Sequence, residues 1–325
     1  MEIADRSARR PESTTLARIL ILLLGGVAFA TVCALLAPLG WPFELFAHFR
    51  IQYAASAALI ALGFVVARRS GAAVLAAALA IFHALPLLQF ARADAPVAAC
   101  SGPAFTVATV NLLYRNRDRQ PVLDWLASEA PDLVVVQELT PEWATALSGV
   151  TGYGHRRMLV REDAYGIGIL SRWPFERIEP VDLADDGLPS LSGVAVMAGQ
   201  RIGFLGLHAR WPVTPRLLAA RDDALRRSVR LVRGQAFPMV ILGDFNLTPF
   251  SPAFTRFEAQ SGLHDAMGGW RWRPTWRAGF WPLALAIDHV LVSPSLCVER
   301  AEVGPPIGSD HRPVIARLRL DRERG

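Results

Sequence analysis

The first third of the chain contains long apolar runs without a charged residue. Each run is close to the roughly 20 residues that an α-helix needs to cross the hydrocarbon layer of a membrane. The runs cover residues 19–36, 51–67 and 71–91. We therefore predict three transmembrane helices within residues 19–91, preceded by a tail of residues 1–18, with a kink near the end of the third helix at Pro86.

Arginines are distributed unevenly around these runs. Those before the first run and between the second and third are Arg6, Arg9, Arg10, Arg18, Arg68 and Arg69, whereas only Arg50 and Arg92 lie near the opposite side. Because basic residues favour the cytoplasmic face, we expect, for a bacterial chain, a multi-pass inner-membrane protein with a cytoplasmic N-terminus and everything after residue 95 in the periplasm or outside the cell. A cleaved signal peptide ending at Ala28-Phe29-Ala30 is the competing interpretation, but two further apolar runs follow it.

After a linker at residues 92–104, short apolar runs alternate with amphipathic segments. Runs rich in Val, Ile and Leu that end at polar or Gly residues predict strands, and apolar positions at helical spacing predict helices. The predicted strands cover residues 105–110, 133–136, 166–170, 193–196, 202–207, 239–242, 290–292 and 314–316, and the predicted helices 121–129 and 215–233. This alternation indicates an α/β (α+β) domain over residues 105–320.

Polar side chains recur where these strands end or begin. The residues that close a strand are Asn111, Glu138, His208 and Asp244, and those that open one are Asp288, Asp310 and His311. If the first group of strands runs toward one edge of a sheet and the second runs away from it, all of these side chains meet at that edge. The pattern therefore predicts a single site, although each residue alone is compatible with an ordinary turn or strand end.

The segment Gly243-Asp244-Phe245-Asn246 carries the most specific chemistry. In an extended chain, residues two apart face the same side. Asp244 thus offers a carboxylate that can take or orient a proton beside the amide of Asn246, which can donate to an anion. This combination suits phosphate ester chemistry. A strand-to-loop turn is the alternative, since Gly, Asp and Asn are common turn residues.

The composition of the 325 residues agrees with membrane segments and with a phosphate-bearing partner. Hydrophobic residues make up 52%, the mean hydropathy is +0.28, the formal charge is +5, and every basic residue is arginine. Arginine can hold two phosphate oxygens at once, although a codon bias explains the absence of lysine equally well. There is no Cys-x-x-Cys pair, and the oxygen ligands of the predicted site favour Mg²⁺ or Mn²⁺ over zinc. In an oxidising compartment, Cys100 and Cys297 can form a disulfide.

Seven short segments resemble, in sequence and in order, the motifs of the endonuclease/exonuclease/phosphatase (DNase I-like) superfamily of metal-dependent phosphoesterases. They are Thr109-Val110-Asn111, Val136-Gln137-Glu138, Gly166 to Arg172, Leu207-His208, Gly243 to Asn246, Ile287 to Val290 and Ser309 to Pro313. The resemblance covers residues 105–318. It implies a four-layer sandwich of two mixed β-sheets flanked by helices.

The same resemblance implies roles for the matching residues that face the cation and the water. Glu138 would bind the divalent ion, Mg²⁺ or Mn²⁺, with Asn111 nearby and Asp310 close to it. Asp244 would orient or deprotonate the attacking water.

The remaining residues of the motifs would act on the phosphate. The resemblance implies that Asn246 and His208 hold it, and that His311, supported by Asp288, stabilises the charge on the phosphoryl oxygens. Together these roles predict hydrolysis of a phosphodiester by in-line attack of water.

Arginine and aromatic residues concentrate in two places near these motifs, at residues 270–276 and directly after His208. The candidate substrate-binding residues among them are Arg210, Trp211, Trp272 and Trp276. Such side chains stack on the bases of nucleic acids or settle at the headgroup layer of a lipid bilayer, and core packing is a third interpretation. We predict a membrane-anchored, nuclease-like phosphodiesterase, with a phospholipid (sphingomyelinase-like) phosphodiesterase and a catalytically silent binding module of the cell envelope as alternatives.

Overall fold

The computed structural model describes residues 11–87, 101–197, 199–268 and 273–321. An N-terminal helical unit, residues 11–87, precedes a β-sandwich that begins at residue 104. The elements of the helical unit are α1 (Pro11–Leu35), a short 3₁₀ turn (Ala37–Leu39), a 3₁₀ helix (Phe43–Phe49), α2 (Arg50–Val66) and α3 (Ser70–Ala84).

Small residues allow the helices of this unit to pack closely. A Cβ atom at Gly63 of α2 would lie 2.9 Å from Cδ2 of Leu20 on α1, so glycine lets the two helices approach at this point. Ala57, Phe64 and Ala76 are buried in the same cluster. The three helices therefore form one packed unit.

Two segments of the helical unit are long and apolar enough to cross a membrane, Thr15–Leu35 and Phe43–Val66. Within the described residues, the third predicted span is a shorter apolar helix, so a third transmembrane helix stays a prediction. The apolar helix there, Ser70–Ala84, has 15 residues and a length of about 22 Å, against a hydrocarbon core of about 30 Å. The helix is interrupted at Leu85 and Pro86, and Leu87 is helical again. Proline lacks the N–H that continues a helix, which explains the interruption. Residues 88–91 of the predicted run lie outside the described residues.

The described part of the sandwich contains twelve strands in two six-stranded sheets. The strands are β1 (Ala104–Asn111), β2 (Leu133–Gln137), β3 (His155–Leu159), β4 (Ile167–Ser171), β5 (Phe175–Asp182), β6 (Pro189–Met197), β7 (Gln200–His208), β8 (Met239–Asp244), β9 (His264–Asp265), β10 (Asp288–Val292), β11 (Leu296–Val303) and β12 (Val314–Leu320). Sheet A has the order β11-β12-β1-β2-β4-β3, and sheet B the order β5-β6-β7-β8-β10-β9. The pairs β1/β2 and β7/β8 are parallel and the other neighbours are antiparallel. The prediction of two mixed sheets is confirmed.

Helices cover the outer face of each sheet. On sheet A lie α4 (Gln120–Glu129) and α5 (Pro141–Ser148), which bury Trp125 and Trp143. On sheet B lie α6 (Pro215–Arg233) and α7 (Pro252–Ser261), which bury Leu225 and Phe254. The main core lies between the sheets and includes Val135, Phe204 and Leu242. The layers therefore follow the order helix, sheet, sheet, helix, as predicted.

The cysteines differ in state. Cys33 in α1 is buried and free, whereas Cys297 in β11 is disulfide-bonded. Its predicted partner, Cys100, is the remaining cysteine of the sequence and lies outside the described residues.

Candidate active site

The ends of several central strands meet at one edge of the sandwich. In sheet B, the parallel strands β7 and β8 set His208 opposite Asp244, and the antiparallel pair β8/β10 sets Asp288 opposite Asp244. In sheet A, Asn111 ends β1 and Glu138 directly follows β2. Nδ2 of Asn111 donates to Oδ2 of Asp244 over 3.3 Å. This hydrogen bond joins the two sheets at the edge where the polar strand ends converge.

The backbone at the end of β8 explains the sequence of residues 243–246. A Cβ atom at Gly243 would lie 1.8 Å from the carbonyl oxygen of Leu207, so only glycine fits. Asn246 adopts a left-handed φ of +50°, which asparagine tolerates better than most residues. Its backbone N–H donates to Oδ1 of Asp244 (2.9 Å), and its Nδ2 donates to the carbonyl of Ala209 (2.9 Å). These bonds fix the Asp244 carboxylate and hold the Asn246 side chain at the rim.

His311 lies between two carboxylates. Its Nδ1 is 2.8 Å from Oδ2 of Asp288, and its Nε2 is 3.8 Å from Oδ2 of Asp244. All three side chains are buried. Burial by itself lowers the pKa of His311, but Asp288 and Asp244 outweigh it and raise this pKa to about 10. The imidazole is therefore protonated at neutral pH.

The pKa of Asp244 is raised above its ordinary value, whereas the pKa of His208 is lowered. Burial raises the pKa of Asp244 to about 7, with a further increase from Asp288. Nε2 of His208 lies 3.7 Å from Oδ2 of Asp244, and burial, helped by the charge on His311, lowers the pKa of His208 to about 4. A carboxyl group that titrates near neutral pH can accept a proton in the working range, while His208 stays neutral.

Glu138 has a fixed orientation at the end of β2. Its backbone is left-handed, with φ +58°. Oε1 accepts a hydrogen bond from Nδ2 of Asn111 (3.0 Å), and Oε2 accepts one from the backbone N–H of Tyr114 (2.8 Å). Oδ1 of Asn111 accepts from the N–H of Leu113 (3.0 Å), which holds the amide in place. Burial raises the pKa of Glu138, although its two hydrogen bonds and the charge on His311 oppose the increase.

Asp310 is positioned by the loop that precedes β10. Nε1 of Trp276 donates to Oδ2 of Asp310 (3.0 Å), and the backbone N–H of Arg277 donates to its carbonyl (2.8 Å). Oγ of Ser309 donates to the carbonyl of Asn111 (2.8 Å), which ties this segment to the end of β1. Trp276, predicted to bind substrate, thus holds Asp310 while it also lines the cleft.

The other predicted substrate-binding residues differ from Trp276 in their contacts and exposure. Nε of Arg210 donates to Oδ2 of Asp186 (2.7 Å), and its guanidinium lies 4.5 Å from the ring centre of Tyr165. Arg210 is therefore held by protein groups. Trp211 is 60% exposed and lines the cleft. Trp272 lies outside the described residues.

A cavity of about 340 Å³ opens between the converging strand ends. Sequence reasoning missed several of the side chains that line it, among them Leu45 and His48 from the helical unit and Tyr114 and Tyr165 from the sandwich. None of these four ends a predicted strand. Only Tyr165 carried a signal, because it directly precedes the motif that begins at Gly166 and its ring lies 5.5 Å from that of His208.

Carboxylates outnumber positive charges around this cavity. The carboxylates are Glu138, Asp244, Asp288 and Asp310, against the imidazolium of His311 and the guanidinium of Arg277, which also lines the cavity. Donor atoms of Asp244, Asp288 and His311 lie within 4.8 Å of one another, and Oδ1 of Asp288 is buried without a hydrogen-bond partner among the described residues. Because His311 already supplies positive charge between Asp288 and Asp244, the carboxylates left for a cation are those of Glu138 and Asp310. These hard oxygen donors, without a thiolate, fit a divalent cation such as Mg²⁺ or Mn²⁺.

Comparison with solved structures gives several similar folds. A humanized TDP2 of D. rerio has 18% identity and a TM-score of 0.57, covering 67% of this chain and 99% of that one. A family protein from Bacteroides thetaiotaomicron has 20% identity and a TM-score of 0.57 (69% and 98% covered), and a mannosyl-6-phosphatase from the same species has 21% and 0.54 (66% and 99%). At these identities the likeness concerns the fold. Comparison with curated proteins gives no significant match.

The sequence profile of the Endonuclease/Exonuclease/phosphatase family matches residues 108–311. This region is more than half of the chain and runs from β1 to His311, so it contains every strand end of the candidate site. The chain belongs to the endonuclease/exonuclease/phosphatase family.

Proposed function

We propose that this protein is a membrane-anchored phosphoesterase that uses Mg²⁺ or Mn²⁺ to hydrolyse phosphodiester bonds. The observation that carries the proposal is the convergence of Asp244, the Asp288–His311 pair and the Glu138–Asn111 pair on one cleft. Family members are phosphoesterases or hydrolases, among them TDP2 and a mannosyl-6-phosphatase. This supports the same type of reaction here.

Glu138 would hold the cation, with Asn111 and Asp310 beside it. Bound there, the cation supplies positive charge against the phosphoryl oxygens. Nδ2 of Asn111 donates to both Glu138 (3.0 Å) and Asp244 (3.3 Å). Asn111 thereby keeps the cation-binding carboxylate and the proton-accepting carboxylate in a fixed relation.

Asp244 accepts the proton of the attacking water. Its pKa of about 7 allows it to be ionised, yet basic enough to take a proton near neutral pH. Its carboxylate is fixed by the backbone N–H of Asn246, so a water that donates to it is oriented before attack. The water oxygen bonds to phosphorus, the P–O bond to the leaving alcohol breaks, and the leaving oxygen takes a proton from solvent.

His311 stabilises the charge that develops on the phosphoryl oxygens. As an imidazolium it donates from Nε2, while Asp288 holds Nδ1 at 2.8 Å. His208, neutral at physiological pH, and Asn246 contact the phosphate from the side of β7 and β8. These fixed donors act where charge increases in the transition state.

The helical unit supports the membrane-anchored part of the proposal. In the most apolar windows of Thr15–Leu35 and Phe43–Val66, only 33% and 22% of the residues are buried, unlike core helices of a soluble domain. At the far end of the unit, Arg18, Arg68 and Arg69 surround one cavity. By the positive-inside rule this end faces the cytoplasm. The catalytic domain of this multi-pass inner-membrane protein then lies in the periplasm or outside the cell.

The phosphodiester belongs to a nucleic acid or to a phospholipid. A D. rerio TDP2 complexed with single strand DNA product has a similar fold, with 17% identity and a TM-score of 0.57 over 67% of this chain and 99% of that one. It supports a nuclease-like activity, whereas the apolar helices support a lipid substrate. A catalytically silent binding module is disfavoured, because such a module has no need of Glu138, Asp244 and His311 together.

The test uses full-length protein in detergent with Mg²⁺ or Mn²⁺. Its substrates are plasmid DNA, RNA, phospholipid and the generic diester bis(p-nitrophenyl) phosphate. We expect turnover of at least one substrate, and its loss in Glu138→Gln and in Asp244→Asn. Glu162→Gln, at an exposed glutamate, is the matched control and keeps activity. Turnover that survives both site substitutions, or no turnover of any substrate, contradicts the proposal.

A further inference from the structure

A buried ion pair fastens the helical unit to the β-sandwich. We call residues 43–52, the 3₁₀ helix and the first residues of α2, the connecting segment. Nη1 of Arg221 on α6 lies 3.1 Å from both carboxylate oxygens of Glu44, and the two side chains are 1% and 5% exposed. Oγ of Ser251 donates to Oε1 of Glu44 over 2.8 Å. Charges are buried only where they are paired, so this contact is a specific attachment.

Two further contacts join the connecting segment to the loops that carry the site. Nδ1 of His48 lies 3.1 Å from Oγ1 of Thr248, in the loop after β8. Nε2 of Gln52 donates to the carbonyl of Ala284 over 2.9 Å, in the loop before β10. The connecting segment therefore touches both loops that flank Asp244 and Asp288.

The connecting segment also supplies one wall of the active-site cleft. Leu45 and His48 line the same cavity as Glu138, Asp244 and His311. A substrate in this cleft contacts residues at the N-terminal end of the second candidate membrane span, Phe43–Val66.

A second cavity, here called the groove, lies on the other side of the connecting segment. Its volume is about 410 Å³, and its lining includes Leu22, Gly26, Ala30, Tyr53, Trp281 and Leu283. Gly26 is near the middle of the candidate span Thr15–Leu35. The groove thus lies at the level of the apolar helices, where the hydrocarbon chains of lipids are the surrounding solvent.

The cleft and the groove share two walls. The connecting segment and residues 276–285 each border both: Leu45, His48, Trp276 and Leu285 face the cleft, and Phe49, Gln52, Trp281 and Leu283 face the groove. Phe280, Trp281 and Leu283 are 55%, 40% and 39% exposed. An apolar rim of this kind suits the boundary between headgroups and hydrocarbon.

We propose that the substrate is a membrane-resident phosphodiester with a long apolar chain, whose phosphate enters the cleft while its chain lies in the groove along α1. This inference rests on the proposed phosphoesterase function and specifies its substrate class. The oxygen of water bonds to phosphorus, and the P–O bond to the leaving alcohol breaks. Asp244 takes the proton that the water loses, and the leaving oxygen takes a proton from solvent. The products are an alcohol and a phosphomonoester.

Two diesters with the same reacting group isolate the contribution of the chain. Hexadecyl p-nitrophenyl phosphate and ethyl p-nitrophenyl phosphate both release p-nitrophenol, and both are assayed with full-length protein at one fixed detergent concentration. Gly26→Phe fills the groove, since a Cβ atom at Gly26 meets no atom within 4 Å. Gly25→Phe is the matched control, because a Cβ atom at Gly25 is equally unhindered and Gly25 is not among the residues that line the groove.

The expected result is a kcat/KM for the hexadecyl ester at least about tenfold above that for the ethyl ester, and a loss of about tenfold in Gly26→Phe on the hexadecyl ester alone. Gly25→Phe should change neither. The inference would be overturned by equal kcat/KM for the two esters or by an equal effect of Gly26→Phe on both. It would also be overturned by an equal loss in Gly25→Phe, or by faster turnover of a single-stranded oligonucleotide. Turnover of the ethyl ester with no advantage for the hexadecyl ester leaves the phosphoesterase function intact. No turnover of either ester contradicts that function as well.

Discussion

Glu44 and Arg221 lie 177 positions apart in the chain, yet the guanidinium of Arg221 contacts both carboxylate oxygens of Glu44 at 3.1 Å in a buried site. One charge belongs to the connecting segment and the other to α6 of the sandwich. Removing either partner breaks this pair, after which Arg221 keeps its contact with Asp222 (2.7 Å) and Glu44 keeps His48 at 3.5 Å. The helical unit and the catalytic domain are thus coupled by this pair in addition to the His48–Thr248 and Gln52–Ala284 contacts.

Substitution of Arg221 tests this coupling. We expect Arg221→Met to lower the free energy of unfolding by about 3 kcal/mol, because the buried Glu44 loses its arginine partner and keeps only Ser251 and His48. The double variant Glu44→Leu/Arg221→Met should recover most of that loss. Thermal unfolding of full-length protein in detergent, followed by tryptophan fluorescence, measures it. Arg226→Met, at an exposed arginine of the same helix, is the control and should have little effect. Equal melting temperatures for the single and double variants would refute the coupling.

The charge on His311 depends on Asp288. In Asp288→Asn, only Asp244 and Asp310 oppose the effect of burial, so the pKa of His311 falls below its value of about 10. Deprotonation of His311 then begins at lower pH, and the loss of kcat relative to the wild type should be larger at pH 9 than at pH 6. The pH profile of bis(p-nitrophenyl) phosphate hydrolysis is the measurement. A loss of the same factor at both pH values argues against a protonated His311 in the reaction.

Glu138 is expected to be the main cation ligand. Glu138→Gln should weaken binding of Mg²⁺ or Mn²⁺ by about 100-fold or more, since the amide lacks the negative charge that binds a hard cation. Titration calorimetry measures the affinity directly. The melting temperature should rise with cation in the wild type and in the control Glu162→Gln, but not in Glu138→Gln. Unchanged cation affinity in Glu138→Gln would mean that other residues bind the cation.

The carboxyl group of Glu258, outside the site, is expected to make the free energy of unfolding depend on pH. Burial raises the pKa of Glu258 from 4.5 to about 7, and Asp265 adds to the increase. Because the folded-state pKa lies above the unfolded one, the stability that this group contributes is present below pH 4.5 and is lost as the pH rises through 7. Glu258→Gln keeps an oxygen that accepts from the N–H of Asp265 (3.0 Å) without the charge.

We therefore expect Glu258→Gln to stabilise the protein by on the order of 1 kcal/mol at pH 8, with a much smaller effect at pH 5. Melting temperatures at the two pH values measure the difference. A gain of the same size at both would mean that the charge on Glu258 is not its source.

The catalytic edge is predictable from sequence because the strands that build it are short and buried. β2, β4 and β8 are buried at every position, so each appears as an uninterrupted apolar run that ends in a polar residue. The directions of the strands then follow from which end carries that residue. This was enough to group Asn111, Glu138, His208, Asp244 and Asp288 at one edge, whereas the two mixed sheets were predicted from the resemblance to the family.

Edge strands and long-range contacts leave no such signal. β3 and β5 carry charged and exposed residues at several positions, and neither was predicted. Arg221 is 1% exposed while Arg226 of the same helix is exposed, yet nothing in their local sequence distinguishes the two. The attachment of the connecting segment to the cleft depends on such contacts, so Leu45 and His48 could not be identified as lining residues.

The central claim is that Glu138, Asp244 and His311 act around one divalent cation in a single cleft. The most direct test is the rate of bis(p-nitrophenyl) phosphate hydrolysis as Mg²⁺ or Mn²⁺ is titrated into full-length protein that has been treated with EDTA, for the wild type and for Asp244→Asn. We predict no turnover without cation, a saturable increase in the wild type, and a rate roughly 1000-fold lower in Asp244→Asn at saturating cation. Turnover that persists in EDTA, or that Asp244→Asn leaves unchanged, would contradict the claim.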